Sequence, residues 1–195
     1  REMTPKSGKY SNTIIWLHDF DSNAKHSQSY FEQKIELAKD TRIVIPQAPY
    51  RDMNYKIGGK SDVSMAAWFN MEQTFGNLFQ NGTASGFSHN SKYFSQEDIE
   101  DQLDRIKNLI GHEAKYFPDN NTKRIFLGGL SMGASLALAT YLTYDEAEPL
   151  GGVISLYGIN PVDWNAKKQT SLQQFIAGRT PLLLVNNEHL MNKWD

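Results

Sequence analysis

Ile125-Phe126-Leu127-Gly128-Gly129-Leu130-Ser131-Met132-Gly133-Ala134-Ser135-Leu136-Ala137-Leu138-Ala139-Thr140-Tyr141-Leu142 is the stretch that decides the fold. Ile125 to Gly128 is a short apolar run of strand character, and Ala134 to Leu142 is a small-residue apolar run of helix character. Between them, Gly129-Leu130-Ser131-Met132-Gly133 has the G-x-S-x-G pattern. In a strand-turn-helix context that pattern marks a nucleophile elbow, a sharp turn that lifts a serine hydroxyl above the sheet edge. The turn is too cramped for a Cβ at either flank, which calls for glycine there. The plainer alternative is a Gly-rich turn in which Ser131 only caps the helix. A phosphate-binding turn is disfavoured, because G-x-G-x-x-G spacing and a following Lys are both missing.

Working outward, strand-like and helix-like segments alternate. Thr13 to Leu17 and Arg42 to Ile45 are short runs rich in branched residues. Between them, Ser27 to Lys39 carries Tyr30, Phe31, Ile35 and Ala38 at helical spacing. A longer helix starts at Ser95, three residues before Asp98, a capping-box-like opening. Ile99, Leu103, Ile106, Ile110, Ala114 and Phe117 then form one stripe, ended by Pro118. Beyond the elbow follow a strand over Gly152 to Tyr157, a helix over Ser171 to Ala177 and a strand over Leu182 to Val185. Mostly apolar strands separated by amphipathic helices predict an α/β fold, a largely parallel sheet flanked by helices. Residues 71–93, rich in Asn, Gly, Ser and Phe, read as a long loop or insertion.

The 195 residues, 39% of them hydrophobic, suffice for one core and read as a single domain over 1–195. A net charge of −2 offers no electrostatic footprint for nucleic acid. No apolar stretch approaches the length of a transmembrane segment. The lack of cysteine excludes disulfides and thiolate metal sites, and it fits a reducing, intracellular compartment such as the cytoplasm. No H-x-x-x-H or paired-carboxylate spacing suggests a metal site, so neither metal nor cofactor is expected.

Five ordered landmarks carry a family resemblance: Leu17-His18, Pro46-Gln47-Ala48-Pro49, Ala67-Trp68-Phe69, Ser95-Gln96-Glu97-Asp98 and Arg124 to Ala134. Together they resemble the acyl-protein thioesterase and phospholipase-carboxylesterase branch of the α/β-hydrolases, from about Thr13 to about Val185. The resemblance implies removal of palmitoyl and related acyl groups from protein cysteines, and cleavage of lysophospholipids and small esters. It also implies a Ser-Asp-His triad without metal or cofactor.

Laid on this chain, the resemblance makes Ser131 the nucleophile and the Met132 amide one oxyanion donor. The second donor comes from the loop after the first strand, His-Gly-x-Gly-Asp in the family. Here the loop is His18-Asp19-Phe20-Asp21-Ser22, so Phe20 supplies the matching amide and both glycines have become aspartates. An ionised carboxylate pointing inward, about 6 Å away at an effective dielectric near 20, would repel the oxyanion by roughly 3 kcal/mol. That rivals the ~2.7–4 kcal/mol one oxyanion donor supplies. The milder alternative is that the aspartates face solvent or cap local amides. His18 reads as structural, since a base ahead of the nucleophile breaks the fold's Ser-acid-His order. Trp68 lines the acyl pocket or packs the core.

The acid and base are less plain. Asn186 to Asn192 occupies the family's acid segment with no Asp at the matching place. His189 is the only histidine after Ser131, and it would serve as base with Asp163 as acid one strand early. Two expectations stay open. Either the chain lacks a C-terminal strand and helix bearing the catalytic histidine, or the protein is a catalytically inactive hydrolase-fold subunit serving as an interaction module. In the second case Phe75, Phe79, Phe87, Tyr93 and Phe94, in and beside the 71–93 insertion, would face a protein partner.

Overall fold

A computed structural model of the chain describes residues 1–34, 40–53, 64–71, 94–144, 148–162 and 178–186. The strands are β1 (Glu2–Met3), β2 (Asn12–Leu17), β3 (Thr41–Val44), β4 (Tyr50–Asp52), β5 (Ser64–Ala66), β6 (Ile125–Leu130), β7 (Gly152–Leu156) and β8 (Leu182–Val185). The helices are α1 (Ala24–Lys34), α2 (Gln96–Ala114) and α3 (Met132–Thr143). Six strands form one sheet in the order β1-β3-β2-β6-β7-β8, parallel throughout except for β1. The expected mostly parallel sheet is therefore what the chain builds. The antiparallel β1 edge and the separate β4–β5 pair are additions that no apolar run announced.

Strand alternation sorts the core into two layers. On β2, Ile15 and Leu17 turn to the face covered by α2 and α3. Ile14 and Trp16 turn to the other, against Phe31 of α1 and Ile43 and Ile45. Trp16 and Phe31 meet edge to face with centroids 5.3 Å apart. A sheet covered on both faces explains why its central strands are apolar on both sides. Helix α3 is buried from Met132 through Thr140, so it needs no polar face. Helix α2 is amphipathic, and it opens as its sequence predicts, with the Asp98 N–H donating to Ser95 Oγ.

Helix α1 begins earlier than the Ser27 expected from periodicity. The Asn23 side chain accepts the His26 N–H at 2.8 Å, and Gln47 from the β3–β4 connection accepts the Ala24 N–H at 2.9 Å. Half of that start is supplied by a residue distant in sequence, which periodicity cannot see. Residues 35–39, residues 72–93 of the expected 71–93 insertion, the helix expected over 171–177, Asp163 and His189 lie outside the described residues. Met71 and Phe94 pair in an antiparallel bridge and are buried, so Phe94 packs in the core and does not face a partner.

One buried ion pair ties β3 to α2. Arg42 Nε donates to Glu113 Oε2 at 3.0 Å, Nη1 to Thr4 Oγ1 at 3.0 Å, and Nη2 meets Glu2 at 3.0 Å. The guanidinium also lies near the Tyr10 and Tyr116 rings. Burial opposes its charge, but the hydrogen bonds and charges of Glu113 and Glu2 outweigh that and raise its pKa.

Candidate active site

β2 and β6 are neighbours in the sheet, with Leu17 paired to Gly129. The chain leaves them in opposite directions. β2 leads through α1 to β3 on one side, and β6 leads through α3 to β7 on the other. Such a switch point opens a crevice beyond the carboxyl ends of the strands, where α/β sheets bind ligands. Ser131 follows β6 and the His18–Ser22 loop follows β2, so both reach that crevice.

Ser131 sits at φ 53°, ψ −113°, a left-handed conformation that costs a non-glycine residue about 1–3 kcal/mol. Its N–H donates to Leu156 O at 2.8 Å, and its carbonyl accepts the Ser135 N–H at 2.9 Å. Its hydroxyl makes no capping bond to α3, unlike the plain N-cap alternative. The flanking glycines enforce the turn. A Cβ on Gly129 would lie 2.4 Å from the Gly133 carbonyl carbon, and one on Gly133 would lie 2.2 Å from Leu17 O. Met132 is buried as the first residue of α3, where a backbone N–H has no intrahelical acceptor.

The loop after β2 is pinned from several sides. The His18 ring is buried between two backbone groups. The Ala48 N–H donates to Nε2 at 3.0 Å, so Nδ1 carries the proton and donates to Asp19 O at 2.8 Å. Trp68, fully buried, donates its Nε1–H to His18 O at 2.8 Å, so it lies beneath the loop and braces it. The Asp21 N–H donates to Ala66 O at 2.9 Å, and Asp21 itself is at φ 49°. Aspartate tolerates that left-handed conformation through its short polar side chain, so the turn does not require a glycine there.

Asp19 does something more consequential. The Phe20 N–H donates to Asp19 Oδ1 at 2.6 Å. The carboxylate thus caps a local amide, and that amide is the one matched to the second oxyanion donor. Leu130, which precedes Ser131, and Tyr157 at φ 59°, which follows the Leu156 that accepts the Ser131 N–H, are both exposed. Asn186, at the end of β8, turns its Nδ2 to Gly158 O at 3.3 Å and leaves a buried Oδ1 unpaired. Ala48 had no role in the sequence pattern, although Pro46-Gln47-Ala48-Pro49 marked its place. Among the described residues no cluster of three His, Cys, Asp or Glu side chains could hold a metal ion. No described helix is long and apolar enough to cross a membrane.

The His18 arrangement has a pH consequence. Burial lowers its pKa below the usual 6.5, against a weaker opposing pull from the Asp19 carbonyl and carboxylate. A histidine whose folded pKa is depressed contributes stability above its unfolded pKa, which is lost as pH falls toward the folded value. Protonation would also set Nε2–H against the Ala48 N–H. Thermal melts from pH 7 to about 5.5 should therefore fall more steeply for the wild type than for His18→Gln. Parallel curves would refute the buried neutral ring.

A family model described as Phospholipase/Carboxylesterase matches residues 1–184. Acyl-protein thioesterase 1 of Gibberella zeae is 24% identical over 197 residues, 92% of this chain and 74% of that protein. Acyl-protein thioesterase 1 of Kluyveromyces lactis is 30% identical over 162 residues, 80% of this chain and 60% of the relative. Among solved structures, Arabidopsis thaliana SOBER1 superposes with TM-score 0.67 at 18% identity, covering 94% of this chain and 80% of its own. Zea mays acyl-protein thioesterase 2 does so with TM-score 0.65 at 21% identity, covering 95% and 74%.

Proposed function

This chain belongs to the phospholipase/carboxylesterase family of α/β-hydrolases, and on that premise we propose that it hydrolyses acyl thioesters or esters with Ser131 as nucleophile. The observation that carries the reading is the strained φ of Ser131 at the β2–β6 switch point, with its hydroxyl making no capping bond to α3. A left-handed serine between two glycines that cannot bear a Cβ is costly, and a plain helix cap needs none of it.

In the proposed reaction, Ser131 Oγ attacks the acyl carbonyl and passes its proton to a base. The carbonyl electron pair moves onto oxygen, which the Met132 and Phe20 amides hold. Collapse expels the thiolate or alkoxide, and water then releases the fatty acid from the serine. The candidates within this chain for base and acid, His189 and Asp163, lie outside the described residues. Exposed Leu130 and Tyr157 beside Ser131 suit an acyl chain, so acylated proteins, lysolipids and small esters are the proposed substrates.

A second reading, an inactive scaffold that binds protein partners through residues 71–93, is favoured by the occupied Phe20 amide. A fluorophosphonate probe separates the two. The expected result is a covalent adduct on Ser131 that Ser131→Ala abolishes. No label on the folded wild type or on any folded variant that frees the Phe20 amide would favour the scaffold.

A further inference from the structure

The loop is fastened by several contacts besides the carboxylate on the Phe20 amide. We propose that Asp19 gates the oxyanion position: its side chain occupies the place where a substrate carbonyl oxygen would bind, and it must swing away before Ser131 can react. This rests on the hydrolase reading above.

Three observations support the gate. The 2.6 Å contact is a short, charge-assisted hydrogen bond, and one N–H aimed at a carboxylate cannot also serve an oxyanion. Second, the backbone around it has little freedom. His18 O is held by Trp68 Nε1, the His18 ring is held by Ala48 N and Asp19 O, and Asp21 N is held by Ala66 O. Close approach of Gly133 to the Leu17 and His18 carbonyls fixes the loop against the start of α3. Third, Asp19 is half-buried, with part of its surface open to solvent. Rotation of that one side chain is thus the remaining way to uncover the amide. The cap that keeps the carboxylate from pointing at an oxyanion is itself the blockage.

The test compares kcat and KM on p-nitrophenyl butyrate, and the rate of fluorophosphonate labelling, for wild type, Asp19→Asn, Asp19→Gly and Asp19→Gly with Ser131→Ala. Loss of one oxyanion donor costs about 10²–10³ in kcat. Uncovering a donor that is only masked should regain part of that, about 10- to 100-fold in kcat for Asp19→Gly, with KM nearly unchanged. Asp19→Asn keeps an acceptor oxygen but drops the charge, so its kcat should fall between the two. The gain should vanish with Ser131→Ala. If Asp19→Gly does not fold, a higher kcat in Asp19→Asn still supports the gate, and an unchanged one overturns it. Labelling of wild-type Ser131 with no rise in kcat in a folded Asp19→Gly overturns the gate alone. No labelling in any variant overturns the hydrolase reading, and the gate falls with it.

Discussion

Replacing Gly133 with alanine is expected to lower stability by about 3 kcal/mol or more and to suppress labelling of Ser131. The added Cβ would stand 2.2 Å from Leu17 O, 2.5 Å from His18 O and 2.6 Å from the Leu17 carbonyl carbon. All three are backbone atoms, so no rotamer change relieves the clash. The start of α3 must retreat from the end of β2, which separates Ser131 from the His18–Ser22 loop. For a chain of this size the loss corresponds to a melting temperature roughly 6–12 °C lower. Gly111 in α2 is the internal control. A Cβ there meets nothing within 4 Å, so Gly111→Ala should be neutral or gain up to about 1 kcal/mol. Equal melting curves for wild type and Gly133→Ala would refute the close packing.

Removing Glu113 should cost about 3–5 kcal/mol, because Glu113→Ala strands a buried guanidinium without its main partner. Arg42 and Glu113 are both nearly inaccessible, while Glu2, the other carboxylate on Arg42, is exposed, so solvent screens its charge and it compensates only in part. The double variant Arg42→Met with Glu113→Leu should recover most of the loss, since two apolar side chains avoid the desolvation of two charges. Urea denaturation measures both. A Glu113→Ala cost below about 1 kcal/mol would show that the pair is screened by solvent after all.

Much of the fold could be read from local pattern. The run through Ile125 to Leu142 announced β6, the elbow and α3. Leu182 to Val185 is a strand with the expected ends, and Ser95 caps α2 as its spacing from Asp98 required. These signals are short-range, because a strand's alternation, a helix's stripe and a cap all reside within a few residues. The two-residue β1 edge, the β4–β5 pair and the start of α1 were not legible in this way. Each depends on a partner far along the chain: Val44 for β1, Ala66 for β4, Gln47 for α1.

The candidate site divides along the same line. Residue order alone marked Ser131 as the position to examine, through glycines that only a cramped turn requires. It left the loop aspartates with two opposite meanings, one repelling an oxyanion and one capping an amide. For Asp19, tertiary structure decided between them. Trp68, Ala48 and Ala66 converge on the loop from separate segments and aim its amides, and the Asp19 carboxylate then finds Phe20 N–H. A turn's conformation is a local property of its own residues, whereas the direction of a side chain within it is set by whatever the rest of the fold packs against that turn.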